Sequence, residues 1–119
     1  ICSSIPNTTF HCDVDKIGEL MYKADLAIGA GGSTTWERCC LGLPSIVSIL
    51  SDDQQECTET MGKKGYIINL GWAENLTAKD YVEKIKNINI NKLQTISKLG
   101  LEIVDGKGCL RVANAIKLL

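Results

Sequence analysis

The segment Gly29-Ala30-Gly31-Gly32-Ser33-Thr34-Thr35-Trp36-Glu37 puts three glycines, three hydroxyls and one carboxylate directly after the apolar run Leu26-Ala27-Ile28. A glycine turn that opens a helix cradles anions. Without Cβ atoms the backbone approaches a phosphate closely, and the free N–H groups and positive end of the helix point at it. The hydroxyls of Ser33, Thr34 and Thr35 add donors for the same oxygens. A structural role competes with this one, because Thr34-Thr35-Trp36-Glu37 also has the spacing of a capping box. The loop matches the first two glycines of G-x-G-x-x-G, with Thr34 in place of the third. Asp52 stands near the end of the next strand, where a dinucleotide site keeps its ribose-binding acid, so a nicotinamide dinucleotide is an open alternative. The Walker A pattern is absent.

A second polar cluster, Asp52-Asp53-Gln54-Gln55, follows the next apolar run. Asp52 or Asp53 could cap the helix that starts there. His11 is the only histidine and lies in a β-rich stretch outside either cluster, so no base or metal role is expected of it. Of the six cysteines, Cys39 and Cys40 are adjacent, no C-x-x-C occurs, and the rest fall in apolar or helical patterns. Reduced thiols, a cytoplasmic location and no metal are expected. Trp36 and Trp72 are expected to pack, and Lys63-Lys64 to end a helix in solvent.

Alternating strands and helices must position these clusters. Ile1–Ser3 reads as the end of a strand, Ile5-Pro6-Asn7 as a turn, and 8–14 as β-rich. Asp15 is the expected cap of a helix with Ile17, Leu20, Met21 and Ala24 on one face. The strand Leu26–Ile28 enters the glycine loop. The helix after it carries Trp36, Cys39, Cys40 and Leu43 at amphipathic spacing and ends at Gly42 and Pro44. Ser45–Leu50 is a buried strand, and the next helix presents Gln54, Cys57, Thr58 and Met61 before Gly62 and Gly65. Tyr66–Leu70 is a further strand. Thr77 with Asp80 forms a capping box, with Leu76 and Tyr81 at the staple positions. Two last helices carry Ile96, Leu99 and Ile103, then Val112, Ala113 and Ile116, with Asp105-Gly106-Lys107-Gly108 between them; Asn87–Asn91 joins two helices. Short strands that are apolar on both faces predict an α/β, Rossmann-like parallel sheet with helices on both faces, with the ligand beyond the carboxyl ends of the strands.

The 119 residues, 45% hydrophobic and 23% charged, suit one globular domain spanning 1–119. Thirteen Lys and Arg against fourteen Asp and Glu give a net charge of -1, without a basic patch interleaved with aromatics, so neither nucleic acid nor an anionic membrane is an expected partner. No apolar run approaches the ~20 residues of a membrane span. The chain starts at Ile1 without a leader pattern and is expected to be part of a longer protein.

The run from Ala24 through Gly31-Gly32-Ser33-Thr34 and Trp36-Glu37-Arg38 to Leu41-Gly42-Leu43-Pro44 resembles the signature of the C-terminal domain of the PseG/SpsG family. Asp52-Asp53-Gln54, and Val104-Asp105-Gly106-Lys107-Gly108 leading to Arg111-Val112-Ala113, resemble it too. The family comprises UDP-sugar hydrolases of pseudaminic acid synthesis and spore coat polysaccharide proteins, related to MurG-type glycosyltransferases with two Rossmann-like domains in the GT-B arrangement. The resemblance implies that this chain is the C-terminal, UDP-sugar-binding half. Gly31, Gly32, Ser33 and Thr34 would face the diphosphate, and Glu37 the ribose hydroxyls. Asp53 and Gln54 would lie toward the sugar, with Asp53 as an auxiliary group. In that family the catalytic histidine belongs to the N-terminal domain, so the resemblance implies no catalytic residue and no cofactor here. Asp53 departs from the Asp-Asn-Gln common in the family. An ionised aspartate accepts but cannot donate, so either the sugar contact differs or Gln54 and Gln55 take it over. A MurG-like transferase and a non-catalytic nucleotide-sugar-binding module are the alternatives.

Overall fold

Three apolar segments, each leading into a helix that starts on the same side, build the sheet in the computed structural model, which describes residues 2–119. Strands β1 (Ala27–Ala30), β2 (Ser45–Ile49) and β3 (Ile68–Trp72) are parallel and stand in chain order. Ala27 pairs with Ser45 and Ala30 with Ser48; Ile46 pairs with Ile68 and Ile49 with Trp72. Every residue of the central strand β2 is buried. Its Ile46, Val47 and Ile49 are essentially inaccessible, each contributing about 1.5–3 kcal/mol of burial.

Helices α2 (Ser33–Cys40) and α3 (Asp52–Lys63) follow β1 and β2. They meet the sheet on its Val47 side, where Cys39, Val47, Met61 and Ile67 form one cluster. Ser48 points to the opposite side and meets Tyr81 of α4 (Ala78–Asn87), with 2.7 Å between the two hydroxyls. Helices therefore cover both faces, as expected. Helix α5 (Ile90–Ile103) packs on α2, and Gly100 is where the two backbones come close, since a Cβ there would stand 3.1 Å from the Cys39 carbonyl. The expected helix joint at Asn87–Asn91 is present, with Asn89 capping α5 through its Oδ1, which accepts the Lys92 N–H at 2.8 Å. Helices α1 (Ile17–Lys23) and α6 (Gly108–Lys117) bury no residue, which leaves Val112 and Ile116 exposed.

Several expectations change. Ile1 lies outside the described residues. Cys2–Ser4 is a 3-10 turn, and 8–14 has no strand partner and runs as coil, exposed but for the half-buried Val14, because β propensity needs a ladder to pair with. Lys16 rather than Asp15 occupies the α1 cap position, without a side-chain cap. Strand β1 continues through Gly29 and Ala30. Strand β3 starts two residues late, at Ile68, because Tyr66 N–H still bonds back to the Met61 carbonyl of α3. Its pairing with β2 skips Leu70, and Gly71, with φ +89°, takes up the irregularity. On α2 the buried residues are Thr35, Arg38 and Cys39, whereas Trp36 is 39% exposed and Leu43 lies beyond the helix. Cys57 of α3 is likewise exposed.

Candidate functional site

The carboxyl ends of β1 and β2 release the chain into two turns that share one edge of the sheet: Gly31-Gly32 before α2, and Leu50-Ser51 before α3. Gly31 N–H donates to the Ser48 carbonyl at 3.1 Å, carrying the β1–β2 ladder one step into the loop. Gly31 lies so close to α3 that a Cβ would overlap the Thr58 hydroxyl and stand 3.3 Å from Cβ of Gln54. Gln54 in turn accepts the Leu50 N–H on Oε1 at 3.1 Å, bracing the second turn. The structure thus joins Gly31, Gln54 and Thr58. It also shows that half of the Gln54 amide is already engaged, which leaves its NH2 to donate.

Gly32 is the N-cap of α2, with φ +112° and ψ -165°, a backbone region open to glycine only; nothing stands within 4 Å of where its Cβ would be. With the helix starting at Ser33, the N–H groups of Ser33 and Thr34 have no carbonyl one turn back to bond. They open beside the unobstructed side of Gly32, which is the arrangement an anion needs. This start also overturns the capping reading of Thr34 and Glu37. Thr34 falls inside the first turn, and the Glu37 carboxylate, one turn beyond Ser33, makes no hydrogen bond or ion pair among the described residues. Its carboxylate is exposed and free to accept.

Neither Asp52 nor Asp53 caps α3. Ser51 holds that position, and both acids lie in the first turn, where they favour the helix dipole. Asp53 lines a groove of about 300 Å³ between α2 and α3 together with Trp36, Glu56 and Cys57. A larger groove of about 790 Å³ lies at the opposite edge of the sheet, between Pro44 and Leu93, remote from the glycine loop. Among the described residues no group of His, Cys, Asp and Glu could hold a metal, and the six cysteines are free. No helix of the described residues is long and apolar enough to cross a membrane.

Sequence reasoning missed Arg38. This side chain is only 5% exposed and turns under the loop. Its Nη2 donates to the Ala30 carbonyl at 2.9 Å and to Thr35 Oγ1 at 3.0 Å, while Nε has no partner among the described residues. A Cβ on Gly29 would stand 2.5 Å from Nη1, so glycine at 29 is what admits the guanidinium. Burial draws the Arg38 pKa below its ordinary value, against smaller opposing effects of Cys39 and Glu37, but a guanidinium stays charged at neutral pH. Burial also pushes the Cys39 thiol up. The sequence signal was a charged residue in register with Thr35 on the helix face turned inward.

The fold and this loop define a Rossmann-like α/β domain with an uncapped helix start at the carboxyl edge of its sheet. The chain belongs to the glycosyltransferase family 28 C-terminal domain family, whose profile matches residues 7–100. That span contains the glycine loop and Asp52-Asp53-Gln54, and bears out the likeness to the C-terminal domain of the PseG/SpsG group. The spore coat polysaccharide biosynthesis protein SpsG of Bacillus subtilis (strain 168) is 33% identical over 95 residues, which is 78% of this chain and 28% of that protein. The chain therefore spans little more than a quarter of the length of this relative. No solved structure matches the chain.

Proposed function

We propose that the chain is the nucleotide-binding half of a cytoplasmic UDP-sugar hydrolase of surface polysaccharide synthesis, acting with an N-terminal domain of the same parent protein. The observation that carries this reading is the uncapped start of α2 at Gly32, open on the side where a phosphate would approach. The N–H groups of Ser33 and Thr34 then hold the diphosphate, Glu37 accepts from the ribose hydroxyls, and Asp53 and Gln54 stand toward a diacetamido-trideoxy sugar. Water attacks the anomeric carbon as its bond to the diphosphate oxygen breaks. The water proton passes to a base in the other domain, and the departing oxygen keeps the electron pair. This chain stabilises that growing charge with its helix start.

A second reading has a specific observation in its favour: the matching family is one of glycosyltransferases, which pass the sugar to an acceptor in place of water. Both readings use the same cradle. Titration of the 119-residue chain with UDP, CMP and NAD tests that common part, with UDP expected to bind tightest and no sugar to be released from a UDP-sugar by this chain alone. Equal affinities, or preference for NAD, would overturn it.

A further inference from the structure

We infer that Arg38 is a positioning residue of the diphosphate site, serving as the buried counter-charge of the bound anion; this rests on the glycine loop being that site. Three observations lead here. The guanidinium is almost wholly buried, yet among the described residues no carboxylate forms an ion pair with it, Glu37 acting on it only as a smaller coulombic effect, and the four ion pairs found there join other residues. Its Nε is left without a partner, and its two hydrogen bonds go to neutral oxygens of Ala30 and Thr35. Those two residues flank the glycine turn, so the charge lies directly beneath Gly31-Gly32 and the free N–H groups of Ser33 and Thr34.

A buried charge without an opposite partner destabilises the protein that holds it, unless a partner arrives in the working state. The open side of the loop that lies over it is at Gly32, where nothing stands within 4 Å of a would-be Cβ. Arg38 therefore does two things. By holding the Ala30 carbonyl it turns that oxygen away from the anion and fixes where β1 ends. Its positive charge, weakly screened because it is out of water, adds to that of the helix start. Arg38 does not touch the ligand in this account; it acts through the loop and through its field, and Gly29 is the residue that makes room for it.

The test compares the 119-residue chain with Arg38→Met, Arg38→Gln and Arg38→Lys by calorimetry. The probes are UDP, inorganic pyrophosphate and uridine, and circular dichroism confirms folding. Met removes the charge and both bonds. Gln removes the charge and both bonds but keeps a polar amide at about the Nε position, and so serves if Met does not fold. The expected result is that both neutral variants lose about tenfold or more for UDP and for pyrophosphate, the size of effect one unit charge has across a few ångströms of protein, with uridine unchanged. Arg38→Lys should restore most of the loss. Neutral variants that bind UDP and pyrophosphate as the parent does overturn the inference and leave the glycine-loop reading intact. An equal loss for uridine also overturns it, since the role would then be structural. If the parent chain itself binds neither UDP nor pyrophosphate, the site reading falls and this inference with it.

Discussion

Gly31 of the glycine loop packs against Thr58 of α3, so closely that position 31 has no room for a side chain. The contact fixes the glycine loop against α3 and so sets the spacing between the start of α2 and the Asp53-Gln54 turn. Gly31→Ala should lower stability by about 1–3 kcal/mol through overpacking. In a Thr58→Ala background the same substitution should be milder, because the clashing hydroxyl is gone. Thermal unfolding of the four proteins of this cycle measures the coupling; equal penalties in both backgrounds would show that the loop is held from elsewhere.

Glu37 lacks the capping role that its spacing suggested, which simplifies its test. Glu37→Gln should leave the thermal midpoint nearly unchanged, since no hydrogen bond or ion pair depends on the carboxylate. A charged acceptor bonded to hydroxyls is worth about 1.5–3 kcal/mol and a neutral one about 0.5–1.5, so UDP affinity should fall roughly fivefold to tenfold. A 2′-deoxy nucleotide should discriminate less between parent and variant than UDP does. Undiminished UDP binding by the variant would assign the ribose to another residue.

Tyr81 and Ser48 tie α4 to the centre of the sheet through a 2.7 Å hydrogen bond, and Ser48 is buried. Tyr81→Phe strands the serine hydroxyl away from water, which costs about 1–3 kcal/mol. Adding Ser48→Ala should recover part of that loss, because the unpaired group is then removed. Urea unfolding decides the matter, and strictly additive penalties would mean that the bond contributes nothing.

Acid should reveal two surface carboxylates. Hydrogen bonds from the Thr77 hydroxyl and backbone N–H hold the Asp80 carboxyl below its usual value, and a hydrogen bond from Arg111 does the same for Asp105. A carboxyl with a depressed pKa in the folded state stabilises the protein above the ordinary value of about 3.9 and loses that contribution as pH falls through the folded value. The double variant Asp80→Asn, Asp105→Asn should therefore melt below the parent at pH 7, with the gap closing toward pH 2.5. A gap of constant size across that range would rule out a role for these charges.

The sequence alone determined most of the strand and helix segments and their parallel α/β class. Ser45–Ile49, Met61, Thr77 with Asp80, and the glycine loop at a strand's carboxyl end were all legible, because hydrophobic period and capping chemistry are local properties of the chain. The likeness around Gly31-Gly32 and Asp52-Asp53-Gln54 was legible for the same reason. Tertiary structure alone decided three things. It started α2 at Ser33, which turned Glu37 from a possible cap into a free acceptor. It set Trp36 at the groove beside Asp53 and turned Arg38 inward under Ala30, because room at Gly29 and the packing of α2 against α5 select which helix face is buried. It also left 8–14 as coil, since a strand forms only where a neighbour supplies its hydrogen bonds. Pairing, helix rotation and close contact depend on residues distant in sequence, and no local pattern encodes them.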